Sequence, residues 1–343
     1  MLSRSTPIAF IAKGKYWVNN HAHVLDCDEH CIYLKYIMWF INAISLAKYV
    51  TGTAQPKMNQ EKMNSIPIAL PPLEEQKRIV AKVEELLPLI DKYEKAWEKL
   101  EEFNKKFPDD MQKSILQMAI QGKLVEQREE EGTADELYKQ IQEEKQKLID
   151  EGKIKKQKAL PEISEDEIPF DIPDSWKWVR WGEISNSIQY GYNASAKDIG
   201  RIKMVRISDI HNNKVSWETV PYCDIKDEEI PQYLLQDNDI LFARTGGTVG
   251  KSFLVKSVPE KSIYAGYLIR TRYSSRLIPE YLKFFMESEL YWSQLRGGTI
   301  ATAQPNCNGQ TLSKMILPLP PLKEQKRIVA KIEELLPLCE RLK

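Results

Sequence analysis

A glycine-rich stretch is the first feature of the sequence that could do chemistry. Arg244–Ser252 reads RTGGTVGKS, and glycines let a backbone approach a phosphate group closely. A Walker A loop needs G-x-x-x-x-G-K-[ST], and the position of its first glycine is occupied by Thr245. No acidic partner for a metal ion follows at a recognisable distance. The stretch therefore argues against nucleotide hydrolysis. It is interpreted either as a phosphate-contacting loop flanked by Arg244 and Lys251 or as a plain hairpin turn.

A basic stretch with tyrosines before it is the second such feature. Between residues 197 and 214 the sequence holds five basic and two acidic side chains, a local charge of +3. Tyr190 and Tyr192 come shortly before it. Basic side chains position phosphate groups, and Arg, Asn and Gln can read base edges. The pattern favours nucleic-acid contact, with a solvated surface of strands and loops as the alternative.

Metal binding and covalent catalysis are poorly supported. The densest group of ligand types lies within eleven residues, at His21, His23, Cys27, His30 and Cys31. Its spacing is not a paired C-x₂-C arrangement, and no second pair exists elsewhere, so we expect no metal site. Outside this group the sequence has a single histidine, His211. Ser-His-Asp and Cys-His mechanisms therefore lack their base, and we expect no catalytic residues and no enzyme activity.

The overall composition sets wider limits. Among 343 residues, 49 are Lys or Arg and 49 are Asp or Glu, so the net charge is zero. This balance counts against a uniformly basic nucleic-acid binder, but it does not exclude a local positive patch. The apolar runs are too short for a membrane span or a signal peptide. Five scattered cysteines suit reduced thiols. We therefore expect a cytoplasmic protein without a membrane partner.

A long internal repeat organises the chain. Leu70–Leu89 and Leu319–Leu338 are identical at 18 of 20 positions, at a constant offset of 249 residues. Further matches upstream are Thr53–Pro56 with Thr302–Pro305, Asn59 with Asn308 and, at a different offset, Tyr33–Met38 with Tyr281–Met286. Such a long period indicates a duplicated domain followed by a helix rather than a solenoid. The first copy is much the shorter, and we interpret it as lacking its N-terminal half.

Each repeated Pro-Pro pair is followed by a predicted long helix. From Ile79 to Leu100 apolar residues recur at alternating steps of four and three, which is the a/d pattern of a coiled coil. We expect helix 74–107 to pair with helix 322–343, within one chain or between chains. The alternative is a helix that packs only on its own domain. Pro108 predicts a break in the first helix.

The remaining elements follow from local signals. A second amphipathic helix is predicted to end near Gly122, and a third to run from Thr133 to about Gly152. Pro161–Asp174 holds six acidic and no basic residues and is interpreted as a linker. After Trp176, short runs rich in Val, Ile and aromatic residues alternate with turn residues, which predicts several strands. The expected fold class is α+β, a mixed α/β domain with β-strands joined to long helices.

Together these features resemble the specificity (S) subunit of type I restriction-modification systems. The motifs that carry the resemblance are the duplicated PPLxEQKRIVAKxEELLPL, the TAQPxxN before it, IQGKLVEQ at Ile120–Gln127, DILFARTGGTVGKS at Asp239–Ser252 and YWVNNHAHVL at Tyr16–Leu25. They cover nearly the whole chain, and the doubled helix motif is highly specific.

The resemblance implies a non-catalytic protein that recognises double-stranded DNA. Such subunits carry two target recognition domains, each reading one half of a bipartite site, and two long helices that pair antiparallel as a coiled coil. Methyltransferase (modification) subunits dock on this scaffold and methylate adenine with S-adenosylmethionine. A separate restriction and translocase subunit uses ATP and Mg²⁺. The resemblance therefore implies no cofactor bound by this chain itself.

The chain departs from this pattern in its first recognition domain. We expect a C-terminal remnant of that domain at 1–66, helices at 67–160, the acidic linker at 161–174, a complete recognition domain at 175–316 and a distal helix at 317–343. We further expect the remnant to be the less stable domain. Half-subunits of this kind could pair into a homodimer through the helices.

Charge, glycine content and place in the family select the residues expected to contact DNA. They are Gln189, Tyr190, Tyr192, Lys197, Arg201, Lys203, Arg206, Arg244, Thr245, Thr248 and Lys251. Two alternatives remain at this point. The chain could be a helical scaffold or silent recombination cassette without a DNA role, or a P-loop nucleotide hydrolase.

Overall fold

The computed structural model describes residues 8–19, 22–51, 58–211, 213–298 and 307–342. Contacts divide the chain into two compact units, Met1–Phe103 and Asn104–Lys343. The helices are α1 Leu34–Ala43, α2 Gln60–Asn64, α3 Leu73–Ile120, α4 Ala134–Asp150, α5 Trp181–Ile184, α6 Ile230–Tyr233, α7 Pro279–Phe285, α8 Glu289–Gly298, α9 Gly309–Lys314 and α10 Leu322–Glu340. The strands are β1 Lys177–Arg180, β2 Ser185–Tyr190, β3 Ile202–Val205, β4 Ile210–His211, β5 Lys214–Val215, β6 Tyr222–Cys223, β7 Ile240–Ala243, β8 Ser252–Leu254, β9 Ser262–Tyr264, β10 Leu268–Tyr273 and β11 Ile316–Leu319. The expected α+β class is confirmed.

A buried glutamine at the start of each repeated helix makes the same hydrogen bonds in both copies. In the first unit, the Gln76 amide donates to the Pro71 carbonyl at 2.8 Å and accepts from the Tyr33 N–H at 2.8 Å. In the second unit, the Gln325 amide donates to Pro320 at 2.9 Å and accepts from the Ile278 N–H at 3.1 Å. Tyr33 and Ile278 are the residues that precede α1 and α7. The glutamine therefore ties the start of the long helix to the start of a shorter one.

Two equivalent tyrosine hydrogen bonds correct one sequence match within the repeat. The Tyr36 hydroxyl donates to the Ala69 carbonyl at 2.6 Å, and the Tyr281 hydroxyl donates to the Pro318 carbonyl at 2.7 Å. Tyr36 in α1 is thus the counterpart of Tyr281 in α7, whereas the sequence match paired Tyr281 with Tyr33. The shift is three residues, because four chance identities in six positions favour the other register in sequence. The TAQP segments of both copies lie outside the described residues.

Asn59 and Asn308 are equivalent in structure as well as in sequence. The Asn59 side chain accepts from the N–H of Lys62 at 2.8 Å and caps α2. The Asn308 side chain accepts from the N–H groups of Gln310 and Thr311, each at 2.9 Å, and caps α9. Asparagine is a preferred N-cap because its oxygen satisfies amide groups that the first helical turn leaves without a partner. The match at these positions is confirmed.

The long helix differs from its prediction at Pro108. α3 runs without interruption from Leu73 to Ile120, through both Pro88 and Pro108, so the predicted break is wrong. Each proline removes one i→i−4 hydrogen bond and strains the preceding turn. The carbonyl groups that lose a donor belong to Glu84 and Asn104, which are exposed, so solvent can hydrate them. The ends at Gly122 and Thr133 are as predicted: Lys123 N–H bonds the Met118 carbonyl at 2.9 Å, and Thr133 caps α4.

α10 packs on the end of α3 and the loop that follows it. Its apolar side packs in one core with the last turns of α3, including Ile115 and Ala119. The direction is antiparallel, since Gln112 bonds Glu340 at 2.6 Å while Gln127 bonds Glu324 at 2.6 Å. Within the described residues, α10 thus packs against the segment 112–131 of the same chain. Pairing of 74–107 with 322–343, within one chain or between chains, stays a prediction.

Among the described residues of the larger unit, the strands form two sheets and two short ladders. The main sheet is antiparallel, in the order β2-β10-β7-β8, and a smaller sheet has the order β6-β3-β9, in which β3 and β9 are parallel. β1 pairs with β11 and so joins the beginning of the predicted recognition domain to its end. One large core spans the end of α3, α4, the main sheet and α10. The boundaries predicted at 160, 174 and 316 therefore do not coincide with gaps in packing.

The acidic segment at 161–174 is an ordered strap. The buried Arg180 guanidinium donates to the carbonyls of Pro161 at 2.7 Å, Glu162 at 2.9 Å and Lys314 at 2.7 Å. It also binds the Glu167 carboxylate with both terminal nitrogens, at 2.8 and 3.1 Å. A planar guanidinium can satisfy several acceptors at once. One side chain thus holds the strap against β1 and the end of α9.

Glu167 makes this attachment sensitive to acid. Its hydrogen bond to Arg180, followed by the backbone N–H of Ser164, lowers its pKa from 4.5 to about 2. A depressed carboxylate pKa stabilises the folded state above the unfolded pKa, and this stabilisation is lost as the pH falls from 4.5 toward 2. We expect the urea midpoint to drop less between pH 6 and pH 3 in Glu167→Gln than in the wild-type chain. Identical drops would contradict this.

The two units differ in how much apolar surface they bury. In the described part of the first unit, the buried hydrophobic side chains are Tyr36, Leu46, Tyr49 and Val80, while the Trp17 side chain is 98% exposed. The second unit contains three buried clusters. We therefore expect lower hydrogen-exchange protection in residues 8–66 than in 175–316. Exchange followed by mass spectrometry checks this, and equal protection in both would refute it.

Candidate nucleic-acid interface

One end of the main sheet collects several of the predicted residues. The pairs Tyr190–Ile269, Leu268–Ala243 and Phe242–Ser252 place the end of β2, the start of β10, the end of β7 and the start of β8 side by side. The residues next to these strand ends therefore meet in space. We call this the loop end and define it by Tyr190, Arg244, Lys251 and Tyr267.

A stacked pair forms the centre of the loop end. The Arg244 guanidinium carbon lies 4.7 Å from the centroid of the Tyr190 ring. The Tyr190 hydroxyl accepts from the Gly309 N–H at 3.0 Å, and the Arg244 carbonyl accepts from the Cys307 N–H at 2.9 Å. The cation–π stack orients the Arg244 guanidinium, and the two hydrogen bonds hold the Tyr190 hydroxyl and the Arg244 backbone. A preoriented guanidinium can bond a guanine edge or a phosphate with two N–H groups.

The glycine-rich stretch is the turn of a β-hairpin. Antiparallel strands β7 and β8 flank it, and no helix follows it. Its amides are used within the turn: Val249 N–H bonds Gly246, Gly250 N–H bonds Ala243, and Lys251 N–H bonds Thr248. At Gly250, with φ +91°, a Cβ would lie 2.2 Å from Leu295, so only glycine fits. This geometry is that of the hairpin alternative and not of a phosphate-cradling loop before a helix.

The side chains of the turn supply its polar surface. Thr245 and Thr248 are half-buried in the turn, and Lys251 is exposed at its end. Neither Arg244 nor Lys251 forms an ion pair with any residue that the structure describes. The two cations at the loop end are therefore available to a negatively charged ligand.

Gln189 and Tyr192 face the protein interior. The Gln189 side chain accepts from the buried Arg270 guanidinium at 2.7 Å. Arg270 also donates to the Leu234 carbonyl at 2.6 Å, so it links the main sheet to the segment after α6. The Tyr192 ring packs edge-on against Tyr233 at 5.2 Å. Both predicted residues thus support the loop end from within, and their contact with DNA stays a prediction.

Four basic residues predicted to contact DNA have acidic partners. The pairs are Lys197–Asp224, Arg201–Asp227, Lys203–Glu260 and Arg206–Asp209. Three of these acids lie outside residues 197–214, so the local charge of +3 overstates the positive potential of this surface. The Lys197 and Arg201 pairs are exposed, and exposed pairs contribute little to stability and can exchange partners. The Lys203 side chain and the Asp209 carboxylate are largely buried. All four basic residues stay candidates for phosphate contact, but the two predicted cations without an ion pair to any described residue, Arg244 and Lys251, lie at the loop end.

Sequence reasoning missed Tyr267. Its side chain is 67% exposed, and its carbonyl accepts from the Arg244 N–H at 3.1 Å. Ala265-Gly266-Tyr267 forms the turn between β9 and β10. A large aromatic residue in a turn between two strands was the available signal. Without the strand order, nothing in the sequence indicated that this turn lies beside Arg244.

The histidines and cysteines near the N-terminus bond to backbone groups. His23 Nε2 lies 2.8 Å from the Met58 carbonyl, and the thiols of Cys27 and Cys31 donate to carbonyls at 3.7 and 3.6 Å. His21 lies outside the described residues. In the part of the chain that the structure describes, no three His, Cys, Asp or Glu side chains are arranged to hold a metal ion. No helix in that part combines the length and apolar character needed to cross a membrane.

Comparisons with known proteins give consistent similarities. A family model described as the type I restriction modification DNA specificity domain matches residues 2–102 and 173–342. The type I restriction enzyme EcoAI specificity subunit of Escherichia coli is 28% identical over 340 residues, covering 86% of this chain and 57% of that protein. The EcoEI specificity subunit of Escherichia coli is 29% identical over 346 residues, covering 86% of this chain and 58% of that protein.

One solved structure is similar over most of the chain. The crystal structure of an HsdS subunit from Thermoanaerobacter tengcongensis has a TM-score of 0.45 and 17% identity, covering 91% of this chain and 65% of that one. The chain spans less than three fifths of the length of the two curated relatives, the EcoAI and EcoEI specificity subunits.

Proposed function

Because the chain belongs to the type I restriction modification DNA specificity family, we propose that it recognises a DNA sequence through the loop end of its larger unit. The observation that carries this proposal is the fixed Tyr190–Arg244 stack beside two exposed side chains, Lys251 and Tyr267. Arginine held in one orientation reads guanine, lysine contacts phosphate, and tyrosine contacts sugars and bases.

We infer the rest of the complex from the family. The chain directs adenine methylation and restriction to a bipartite DNA site, and it contributes recognition but no chemistry. Methyltransferase subunits supply S-adenosylmethionine, and a restriction and translocase subunit uses ATP and Mg²⁺. All of these partners act in the cytoplasm.

The other two functions fit less well. A nucleotide hydrolase would need backbone amides free to bind phosphate, and in the glycine-rich turn those of Val249, Gly250 and Lys251 are used internally. A helical scaffold or silent cassette would not need unpaired cations beside exposed aromatic rings at one end of a sheet. The internally bonded amides of the turn, and the unpaired cations beside exposed aromatic rings, therefore favour DNA recognition over these two functions.

The decisive experiment is methylome sequencing of cells with and without this gene. The proposal predicts a methylated adenine motif that disappears with the gene. An unchanged methylome, in cells that express the methyltransferase partner, would favour the silent cassette. Loss of the motif would also give the target sequence, which depends on groove geometry and DNA shape.

We also propose that the chain associates with itself through α3. Ile90, Tyr93, Trp97 and Leu100 follow the predicted a/d positions and are each more than half exposed, and the Tyr93 and Trp97 rings stack at 6.3 Å. A continuous apolar stripe on a helix favours a helical partner.

We expect Trp97→Glu to convert a dimer into a monomer in light scattering, with Lys95→Glu as the control. A wild-type monomer at micromolar concentration would contradict self-association.

A further inference from the structure

One of the four paired basic residues, Arg206, differs from the others in the burial of its acidic partner. The side chain of its partner Asp209 is only 4% exposed. The carboxylates that pair with Lys197, Arg201 and Lys203 are each more than half exposed. An exposed carboxylate releases its cation to solvent at little cost, whereas a buried carboxylate keeps its cation in one place.

Asp209 holds the Arg206 guanidinium by one edge. Oδ2 of Asp209 accepts from Nε of Arg206 at 3.2 Å, and Oδ1 accepts from Nη2 at 2.8 Å. Oδ2 also accepts from the Arg206 backbone N–H at 2.7 Å, which fixes the carboxylate itself. A guanidinium is planar and has five N–H donors, and Nη1 of Arg206 has no hydrogen-bond partner among the described residues. The edge formed by Nη1 and Nη2 therefore faces away from Asp209 with free donors.

The turn between β9 and β10 connects Arg206 to the loop end. β3 and β9 are parallel, and the carbonyl of Val205, which precedes Arg206, accepts from the Ala265 N–H at 2.9 Å. Two residues further along this turn, the Tyr267 carbonyl accepts from the Arg244 N–H at 3.1 Å. The Cα atoms of the two arginines therefore lie within about 25 Å of each other, a length that about seven base pairs of B-DNA span.

We propose that Arg206 reads a guanine of the target DNA with its free edge, and that Asp209 is the positioning residue that orients it. The inference rests on the proposed DNA recognition at the loop end and adds a second base-reading arginine to it. Two neighbouring N–H donors match the O6 and N7 acceptors of guanine, a pair of acceptors that no other base presents in the major groove. A side chain that is fixed before binding loses less entropy on binding.

The charge of the pair also favours reading of a base over attraction of phosphate. Asp209 balances the charge of Arg206, so the pair contributes little to the general attraction of the DNA backbone. The alternative is a purely structural pair, in which Asp209 fixes the short helical turn Ile207–Asp209 and Arg206 only covers its charge. Such a pair would affect stability and leave the choice of DNA sequence unchanged.

The test uses the assembled methyltransferase complex and two duplexes, one with the methylated motif and one with the motif scrambled, in fluorescence titrations at fixed salt. We expect Arg206→Ala to weaken binding to the motif roughly tenfold or more, and to the scrambled duplex less than about threefold. Arg201→Ala is the matched control, because Arg201 bonds Asp227 through the same two nitrogens, at 2.9 and 2.8 Å, but both side chains are exposed. It should change both affinities by the same factor. Urea unfolding establishes that each variant folds.

Asp209→Asn tests the positioning role. It keeps an oxygen for the Arg206 backbone N–H but removes a negative charge, which by itself would tighten binding to any duplex. We expect it instead to weaken binding to the motif roughly threefold or more, without weakening binding to the scrambled duplex. Adding Asp209→Asn to Arg206→Ala should reduce discrimination no further, because Asp209 acts through Arg206.

Modified duplexes identify the base that Arg206 contacts. In each of them, one guanine of the motif has its N7 replaced by carbon, which removes an acceptor from the major groove. One such replacement should weaken binding of the wild-type complex but not of the Arg206→Ala complex. If every replacement weakens both complexes equally, Arg206 reads no guanine.

The remaining outcomes separate failure of this inference from failure of the proposed function. Equal losses on both duplexes would make Arg206 a phosphate contact, and unchanged binding would make its pair with Asp209 structural. Tighter binding of Asp209→Asn to both duplexes would refute its positioning role. In these cases the wild-type complex still prefers its motif, so the proposed function stands. A wild-type complex without that preference would overturn the proposed function and this inference together.

Discussion

Replacing Arg180 by methionine is expected to lower the free energy of unfolding of the larger unit by about 1–3 kcal/mol. The substitution removes a buried guanidinium that donates to three carbonyl groups and to the Glu167 carboxylate. The loss stays below that of a fully buried ion pair, because the residues that carry these acceptors are exposed and solvent can hydrate them. Urea unfolding monitored by tryptophan fluorescence measures the loss.

Arg201→Met is the control for this substitution. Arg201 also binds a carboxylate, Asp227, at 2.8 Å, but its side chain is 60% exposed, against 3% for Arg180. An exposed pair contributes at most about 1 kcal/mol. If the two variants unfold at the same urea concentration, Arg180 does not anchor the strap in the way the hydrogen bonds indicate.

Replacing Arg244 by alanine is expected to weaken binding of the assembled methyltransferase complex to its target duplex by about 1–3 kcal/mol, roughly 5- to 150-fold. Binding to a scrambled duplex should change far less, because a base-reading arginine contributes mainly to discrimination. Arg244→Lys should recover little, since an ammonium group lacks the planar stack on Tyr190 and the two-point donor geometry. Electrophoretic or fluorescence titration at fixed salt measures both affinities.

A uniform loss on both duplexes would give Arg244 a different role. It would then contact only phosphate, and recognition would lie with other residues at the loop end. Unchanged binding to both duplexes would remove Arg244 from the interface. Tyr190→Phe separates the two parts of the stack, because it keeps the ring and removes only the hydroxyl that accepts from Gly309.

The repeat and its helices could be predicted from sequence because helix starts follow local rules. The a/d spacing, the glycine after Ile120 and the threonine before α4 all mark structure within a few residues. Pro108 misled the prediction, because two strong helix-forming segments continue through a proline where its lost acceptor faces water. The packing of α10 on residues 112–131 was not predicted, since the heptad pattern states that a helix needs a partner but not which segment supplies it.

The candidate interface could likewise be predicted where the signal is local in sequence, but not where it depends on folding. Arg244 and Lys251 were identified from charge and glycine content, and the structure places both at the loop end. Tyr267 was missed because its nearness to Arg244 depends on the order β2-β10-β7, which no local pattern records. The local charge of +3 at 197–214 is reduced in the folded chain, because the acidic partners Asp224, Asp227 and Glu260 are distant in sequence. Net charge over a window cannot include partners that folding brings in.

Methylome sequencing of cells that express a loop-end variant tests the central claim most directly. The variant carries alanine at Arg244, Lys251 and Tyr267, and the control carries alanine at the exposed residues Lys139, Lys155 and Lys156. Urea unfolding and co-purification with the methyltransferase partner establish that both variants fold and assemble. DNA recognition at the loop end predicts that motif methylation disappears in the first variant and persists in the control. Motif methylation at wild-type level in a folded, assembled loop-end variant would contradict it.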